Sequence, residues 1–82
     1  MEDINRLSEQ ALIKKTKKLL LRTKDLLNSS LADYEKDSDF ATALDDTKSE
    51  LKAIRTRSYD LANETLGNMR VAIIEAITAL QS

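Results

Sequence analysis

Between residues 14 and 24 the chain places Lys14, Lys15, Lys17, Lys18, Arg22 and Lys24 with no acidic residue among them. Cations clustered in this way hold anions: a phosphate backbone, an acidic protein face or an anionic lipid surface all draw on the same Coulombic attraction. Other chemistry has fewer candidates. The chain has no His and no Cys, so imidazole and thiolate ligands for zinc or iron are missing, and disulfides with them. Ser and Thr nucleophiles lack the imidazole that commonly activates them. Carboxylates remain. Asp33/Asp37, Glu35/Asp39 and Asp46/Glu50 stand at i,i+4 and can share a helix face, whereas the adjacent Asp45 and Asp46 point to different sides. Ca²⁺ prefers a loop that adds backbone carbonyls, and no EF-hand spacing occurs. These acids read as a solvated face. The expectation is a protein that is not an enzyme and uses no cofactor or metal.

Charge is uneven along the chain. Its formal net charge is −1, but residues 1–30 sum to +3, residues 31–50 to −5 and residues 51–82 to +1. A nucleic-acid reader usually combines its basic patch with a basic total, stacking aromatics or a recognisable motif. Here the total is slightly acidic, and Tyr34, Phe40 and Tyr59 are the only aromatics. A basic amphipathic helix can also lie on an anionic membrane. That role needs the apolar face of the same helix, which an 82-residue chain needs for its own core. Nucleic acid and membrane therefore stand behind a protein partner.

The elements that carry these residues are helical. The chain has no Pro, a single Gly at position 67, and a third of its residues charged, a composition that favours helix and disfavours strands and tight turns. No stretch of about 18 apolar residues is present to form a transmembrane helix. The opening residues MEDINRLSEQ carry acids and lack the apolar centre of a secretory signal, so the expectation is a soluble, cytoplasmic protein. The sequons Asn28-Ser29-Ser30 and Asn63-Glu64-Thr65 are then chance matches.

The segment LIKKTKKLLLRTKDLLNSS repeats every seven residues. Taking Ile13, Leu20 and Leu27 as one heptad position puts Thr16, Thr23 and Ser30 at the second seam position, with Leu12, Leu19 and Leu26 flanking. So wide a stripe suits a bundle helix better than a strict coiled-coil seam. Ile4, Leu7 and Ala11 extend it upstream, which predicts helix 1 over about 3–29. One of Asp37, Ser38 or Asp39 is expected to cap the next helix. A second stripe runs Phe40, Leu44, Thr47, Leu51, Ile54, Ser58, Leu61. It then slips phase to Ala62, Leu66, Met69, Ile73, Ala76 or Ile77, Leu80.

That slip permits two architectures. A break with Ser58 as cap gives helix 2 over about 39–57 and helix 3 over about 59–81, a single domain spanning residues 1–82 folded as an antiparallel three-helix bundle. Alternatively a continuous helix over 39–81, roughly 64 Å long at 1.5 Å per residue, makes a long hairpin whose exposed half dimerises into a four-helix bundle. The three-helix bundle is the preferred reading.

Two family resemblances arise. The amphipathic helix, the break at Leu26-Leu27-Asn28-Ser29-Ser30 and the polar helix containing Ala43-Leu44-Asp45-Asp46-Thr47-Lys48 resemble the soluble part of bacterial ElaB/YqjD-type proteins. That resemblance, over about residues 20–75, implies ribosome association. The family's Pro-Trp segment and Gly-rich membrane anchor have no counterpart here, so anchoring is not implied. YEKDSDFATALDDTKSELKA is similar to the first helix of a Vti-type SNARE amino-terminal domain.

The functional expectation is a helical protein-protein interaction module that is an adaptor, chaperone-like or regulatory protein and a possible homodimer. Two surfaces compete for the partner. One is the basic ridge of Lys14, Lys15, Lys17, Lys18, Arg22 and Lys24. The other is a C-terminal face of Met69, Val71, Ile73, Ile74 and Ile77, because VAII covers more than one side of a helix. The alternative function is ribosome or RNA association through the ridge.

Overall fold

The computed structural model describes residues 3–28 and 38–81. A 3₁₀ turn, Ile4–Arg6, leads into helices α1, Glu9–Asn28, α2, Ser38–Asp60, and α3, Glu64–Gln81. Each helix packs against the other two. Lys15 of α1 meets Glu50 of α2, Ser58 of α2 meets Arg70 of α3, and Asn63, just before α3, meets Glu9 at the start of α1. These registers make α1 and α2 antiparallel, α2 and α3 antiparallel, and α1 and α3 parallel: an up-down-up bundle. Its long axis is 42 Å, which the 64 Å hairpin helix exceeds.

The chain does not enter α1 at residue 3. Asp3 caps the 3₁₀ turn by accepting from the Asn5 amide at 3.1 Å, and Leu7 is extended, with φ −76° and ψ 143°. The helix restarts behind Ser8, whose hydroxyl accepts from the Ala11 amide at 3.2 Å, supplying one of the partners that a helix N-terminus lacks. The preceding turn buries Ile4 and packs on α2.

In α1 the buried line is Leu12, Thr16, Leu19, Thr23 and Leu26. The first residue of each aliphatic pair, not the second, is the centre of the seam. Ile13 and Leu20 pack at the margin of the core and Leu27 is exposed. The threonines fit because each hydroxyl donates back along its own helix: Thr16 to Leu12 O at 2.7 Å, and Thr23 to Leu19 O at 2.8 Å. Thr47 does the same to Ala43 O at 2.7 Å. Such back-bonding satisfies a buried hydroxyl without a partner from another helix, leaving only methyl groups to face the neighbours.

Except for Ala62, which lies exposed in the link between α2 and α3, the second stripe is seated as its spacing requires. Thr47, Leu51, Ile54 and Ser58 of α2 and Leu66, Ile73, Ala76, Ile77 and Leu80 of α3 are buried, with Phe40, Leu44, Leu61 and Met69 packed around them. The break falls later than Ser58. That residue lies inside α2, and Leu61, Ala62 and Asn63 are the non-helical link. Asn63 caps α3: its side-chain oxygen accepts from the Leu66 amide at 3.0 Å. Part of the Asn63-Glu64-Thr65 sequon is thus a helix cap. Ser30 and the acidic pairs Asp33/Asp37 and Glu35/Asp39 rest on residues outside the described ones, as do Asp37 and the side chains of Ser38 and Asp39, expected as caps of α2.

Candidate functional site

The six cations of α1 do not form one ridge. Lys17 and Lys24, seven residues apart, lie on the margin facing α3, while Lys15 and Arg22, also seven apart, lie on the margin facing α2. Lys14 and Lys18 sit on the outer surface between them. Together they wrap the solvent-facing half of the helix. Lys15 is engaged: its ammonium stands 2.9 Å from Glu50 Oε2, a carboxylate side chain 8% exposed. That oxygen has no aligned hydrogen bond, so the pairing is charge against charge with poor directionality. Among the described residues the other five, Lys14, Lys17, Lys18, Arg22 and Lys24, form no ion pair with a carboxylate, and all are exposed.

The expected C-terminal face is divided by the fold. Ile73 and Ile77 are buried, at 0% and 3% exposure, and Met69 packs against the same core, because α3 turns these positions toward α1 and α2. Ile73 and Ile77 are therefore core residues, unable to contact a partner. Val71, at 63% exposure, and Ile74, at 40%, remain outside. With Gly67 and Thr78 they occupy the outer side of a helix whose only charged residues are Glu64, Arg70 and Glu75.

A feature not anticipated from the sequence lies between α1 and α3. Leu20, Thr23, Lys24, Leu27 and Asn28 on one side and Ala72, Glu75, Ala76 and Ala79 on the other enclose an open groove of about 350 Å³. Ala72, Ala76 and Ala79 recur at i, i+4 and i+7, so α3 presents small side chains along one line. The spacing is legible in the sequence; that Leu20 and Leu27 stand opposite is a product of the parallel pairing. A smaller hollow of about 180 Å³, lined by Leu7, Ala11, Lys14, Lys15 and Lys18, lies near the start of α1.

Arg70 also escaped the sequence reading. Its Nε donates to Ser58 Oγ at 2.9 Å and its Nη2 to the Ser58 carbonyl at 2.9 Å. The guanidinium carbon lies 4.0 Å from the centre of the Tyr59 ring. The last carbonyls of a helix have no partners within it, so α3 satisfies the end of α2 in trans and pins the reversal between the two helices.

Among the described residues no three His, Cys, Asp or Glu side chains converge as a metal site, and no helix is long and apolar enough to cross a membrane. The acidic pair Asp46/Glu50 does not act as one face: Glu50 is buried beside Lys15, while Asp46 is half-buried. No family model, curated protein or solved structure matches this chain.

Proposed function

We propose that this chain is a non-enzymatic helical interaction module, an adaptor, chaperone-like or regulatory protein that presents a surface of its bundle to a protein partner. The observation that carries this reading is the groove between α1 and α3. Its apolar wall includes Leu27, 51% exposed, beside a core already closed by Leu12, Leu19, Leu51, Ile54, Leu66 and Ile73. Leu27 is not needed to complete that core, and leaving about half of its side chain in water forgoes roughly half of the about 1.5–3 kcal/mol that full burial of a leucine contributes. A partner that covers it recovers part of that free energy.

Photo-crosslinking in living cells tests the reading. A benzophenone amino acid at Leu27 or Val71 is expected to yield discrete protein adducts, whereas the same group at Thr56, exposed on the outer side of α2, is expected to yield none. Equal labelling at all three sites, or no protein adduct at Leu27 and Val71, defeats it. An adduct of twice the chain's own mass identifies the partner as a second copy.

The second reading is ribosome or RNA association. The five exposed cations of α1 without a carboxylate partner among the described residues support it. It requires binding whose logarithm falls with the logarithm of salt at a slope of about −0.7 per phosphate contact on a single strand. RNA binding indifferent to salt eliminates it.

A further inference from the structure

Resting on the interaction reading, we propose that the α1–α3 groove is a docking site for an acidic amphipathic helix, which inserts one apolar edge between Leu27 and the alanine line of α3. The groove exists because the two helices are unequally furnished. Below it, Leu19 and Leu26 of α1 and Ile73, Ile77 and Leu80 of α3 belong to one core and set the distance between the axes. Above it, Leu20 and Leu27 face Ala72, Ala76 and Ala79, which are too short to reach across.

Size and polarity then select the class of occupant. About 350 Å³ is near the lower limit of small-molecule pockets, which enclose their ligand and aim several polar groups at it. This groove is open, and the hydroxyl of Thr23 is already given to Leu19 O. An open apolar trough bounded by two helices suits the i, i+4, i+7 side chains of a third.

Charge decides the rest. The α1 rim carries Lys24, with Lys17 one heptad earlier on the same margin, and neither has a carboxylate partner among the described residues. The opposite rim carries Glu75. A helix with acids along the flank facing α1 gains on that side, and a basic residue on its other flank can meet Glu75. A nucleic acid in the groove brings phosphates against Glu75 and leaves Leu27 without an apolar partner. Among the described residues of a second copy, the outward positions of α2, Asp45, Ser49, Lys52 and Thr56, offer no apolar edge, and α1 is basic. The outer side of α3, with Val71 and Ile74 exposed, is the one face that competes with the acidic helix. A crosslinked adduct of twice the chain's own mass at Leu27, together with failure of the peptide, identifies it.

The test uses the full chain and a synthetic amphipathic peptide of about four helical turns, with leucines at i, i+4 and i+7 and glutamates along one flank. Binding is read by fluorescence anisotropy. A matched peptide with lysines replacing the glutamates is expected to bind at least tenfold more weakly. Ala72→Met, which fills the groove, and Lys24→Glu, which reverses its rim, are each expected to weaken binding of the acidic peptide at least tenfold with helicity by circular dichroism unchanged. Lys14→Glu, on the outer surface of α1, is expected to change it less than twofold. The proposal is overturned if the acidic peptide does not bind, if Ala72→Met binds it as well as the parent, or if Lys14→Glu and Lys24→Glu weaken it equally. The last result marks general attraction of anions to α1, as does displacement of the peptide by single-stranded RNA. Peptide failure alongside protein crosslinks at Leu27 or Val71 removes the acidic-helix occupant and leaves the interaction module standing.

Discussion

Replacing Arg70 with Met keeps the aliphatic stem and removes the guanidinium that joins α3 to the end of α2. Three contacts go at once: Nε to Ser58 Oγ, Nη2 to the Ser58 carbonyl, and the stack on Tyr59. A hydrogen bond involving a charged group contributes about 1.5–3 kcal/mol, and a removed partner strands the other group only if it is buried. Ser58 is 1% exposed, but its hydroxyl keeps a bond to Arg55 O at 2.6 Å, so the stranded group is its carbonyl. Tyr59 is exposed, and a cation–π contact there adds about 0.5–1 kcal/mol. Because Arg70 is itself partly exposed and water replaces some of what is lost, the expected destabilisation is about 2–3 kcal/mol. Stability of a chain this long is about 4–12 kcal/mol at the usual 0.05–0.15 kcal/mol per residue, so the loss is a large fraction of the whole. With a urea m-value of about 1 kcal/mol/M, the midpoint should fall by about 2–3 M at unchanged slope. Arg70→Lys should recover less than half, since an ammonium cannot reproduce the two-pronged contact. Tyr59→Leu should cost about 1 kcal/mol or less. A midpoint for Arg70→Met within about 0.5 M of the parent refutes the view that Arg70 pins the reversal.

Three further substitutions probe the same architecture. Ile73→Asp places an unpaired charge at a position with 0% exposure and should cost more than about 4 kcal/mol, lowering helical circular dichroism and the urea midpoint by the same amount at every protein concentration; recovery on concentrating the sample contradicts a core completed within one chain. Lys15→Met leaves the Glu50 carboxylate uncompensated; breaking a buried pair costs about 3–5 kcal/mol, reduced to about 1–3 because the Lys15 side chain is 24% exposed. Adding Glu50→Leu should restore stability to within about 1 kcal/mol of the parent, and a double variant as unstable as the single one rejects the stranded-charge explanation. Gly67→Ala meets no atom within 4 Å and should stabilise α3 by about 0.5–1 kcal/mol, raising Tm by about 2–8 °C in a domain of this size; a fall in Tm shows that the position is not open.

Much of the fold is legible in the residues. The absence of Pro, the single Gly and the seven-residue spacing leave helix as the state in which the apolar residues gather on one side, and that alone dictates an all-α chain. The stripe from Phe40 to Leu61 and its continuation from Leu66 to Leu80 also follow from spacing, since a side chain's angular position around its own helix depends only on counting at 3.6 residues per turn. Counting does not say from which direction the neighbouring helices arrive. Leu12/Ile13, Leu19/Leu20 and Leu26/Leu27 are pairs about 100° apart on the wheel. Packing against both α2 and α3 buries the first of each pair and moves the second to the margin or into solvent.

The position of the break was decided in the same way. Ser58 and Asn63 are both plausible caps by residue type. Arg70, twelve residues downstream, holds the Ser58 hydroxyl and carbonyl from another helix, and Asn63 is left to start α3. The candidate surfaces divide along this line too. Their cations are local facts of the sequence, whereas the burial of Ile73 and Ile77 and the groove between Leu27 and the alanines come from the parallel seating of α3 against α1. Periodicity sets what each helix can bury. Only the packed bundle, by placing three axes relative to one another, determines which of those residues meet and which are left for a partner.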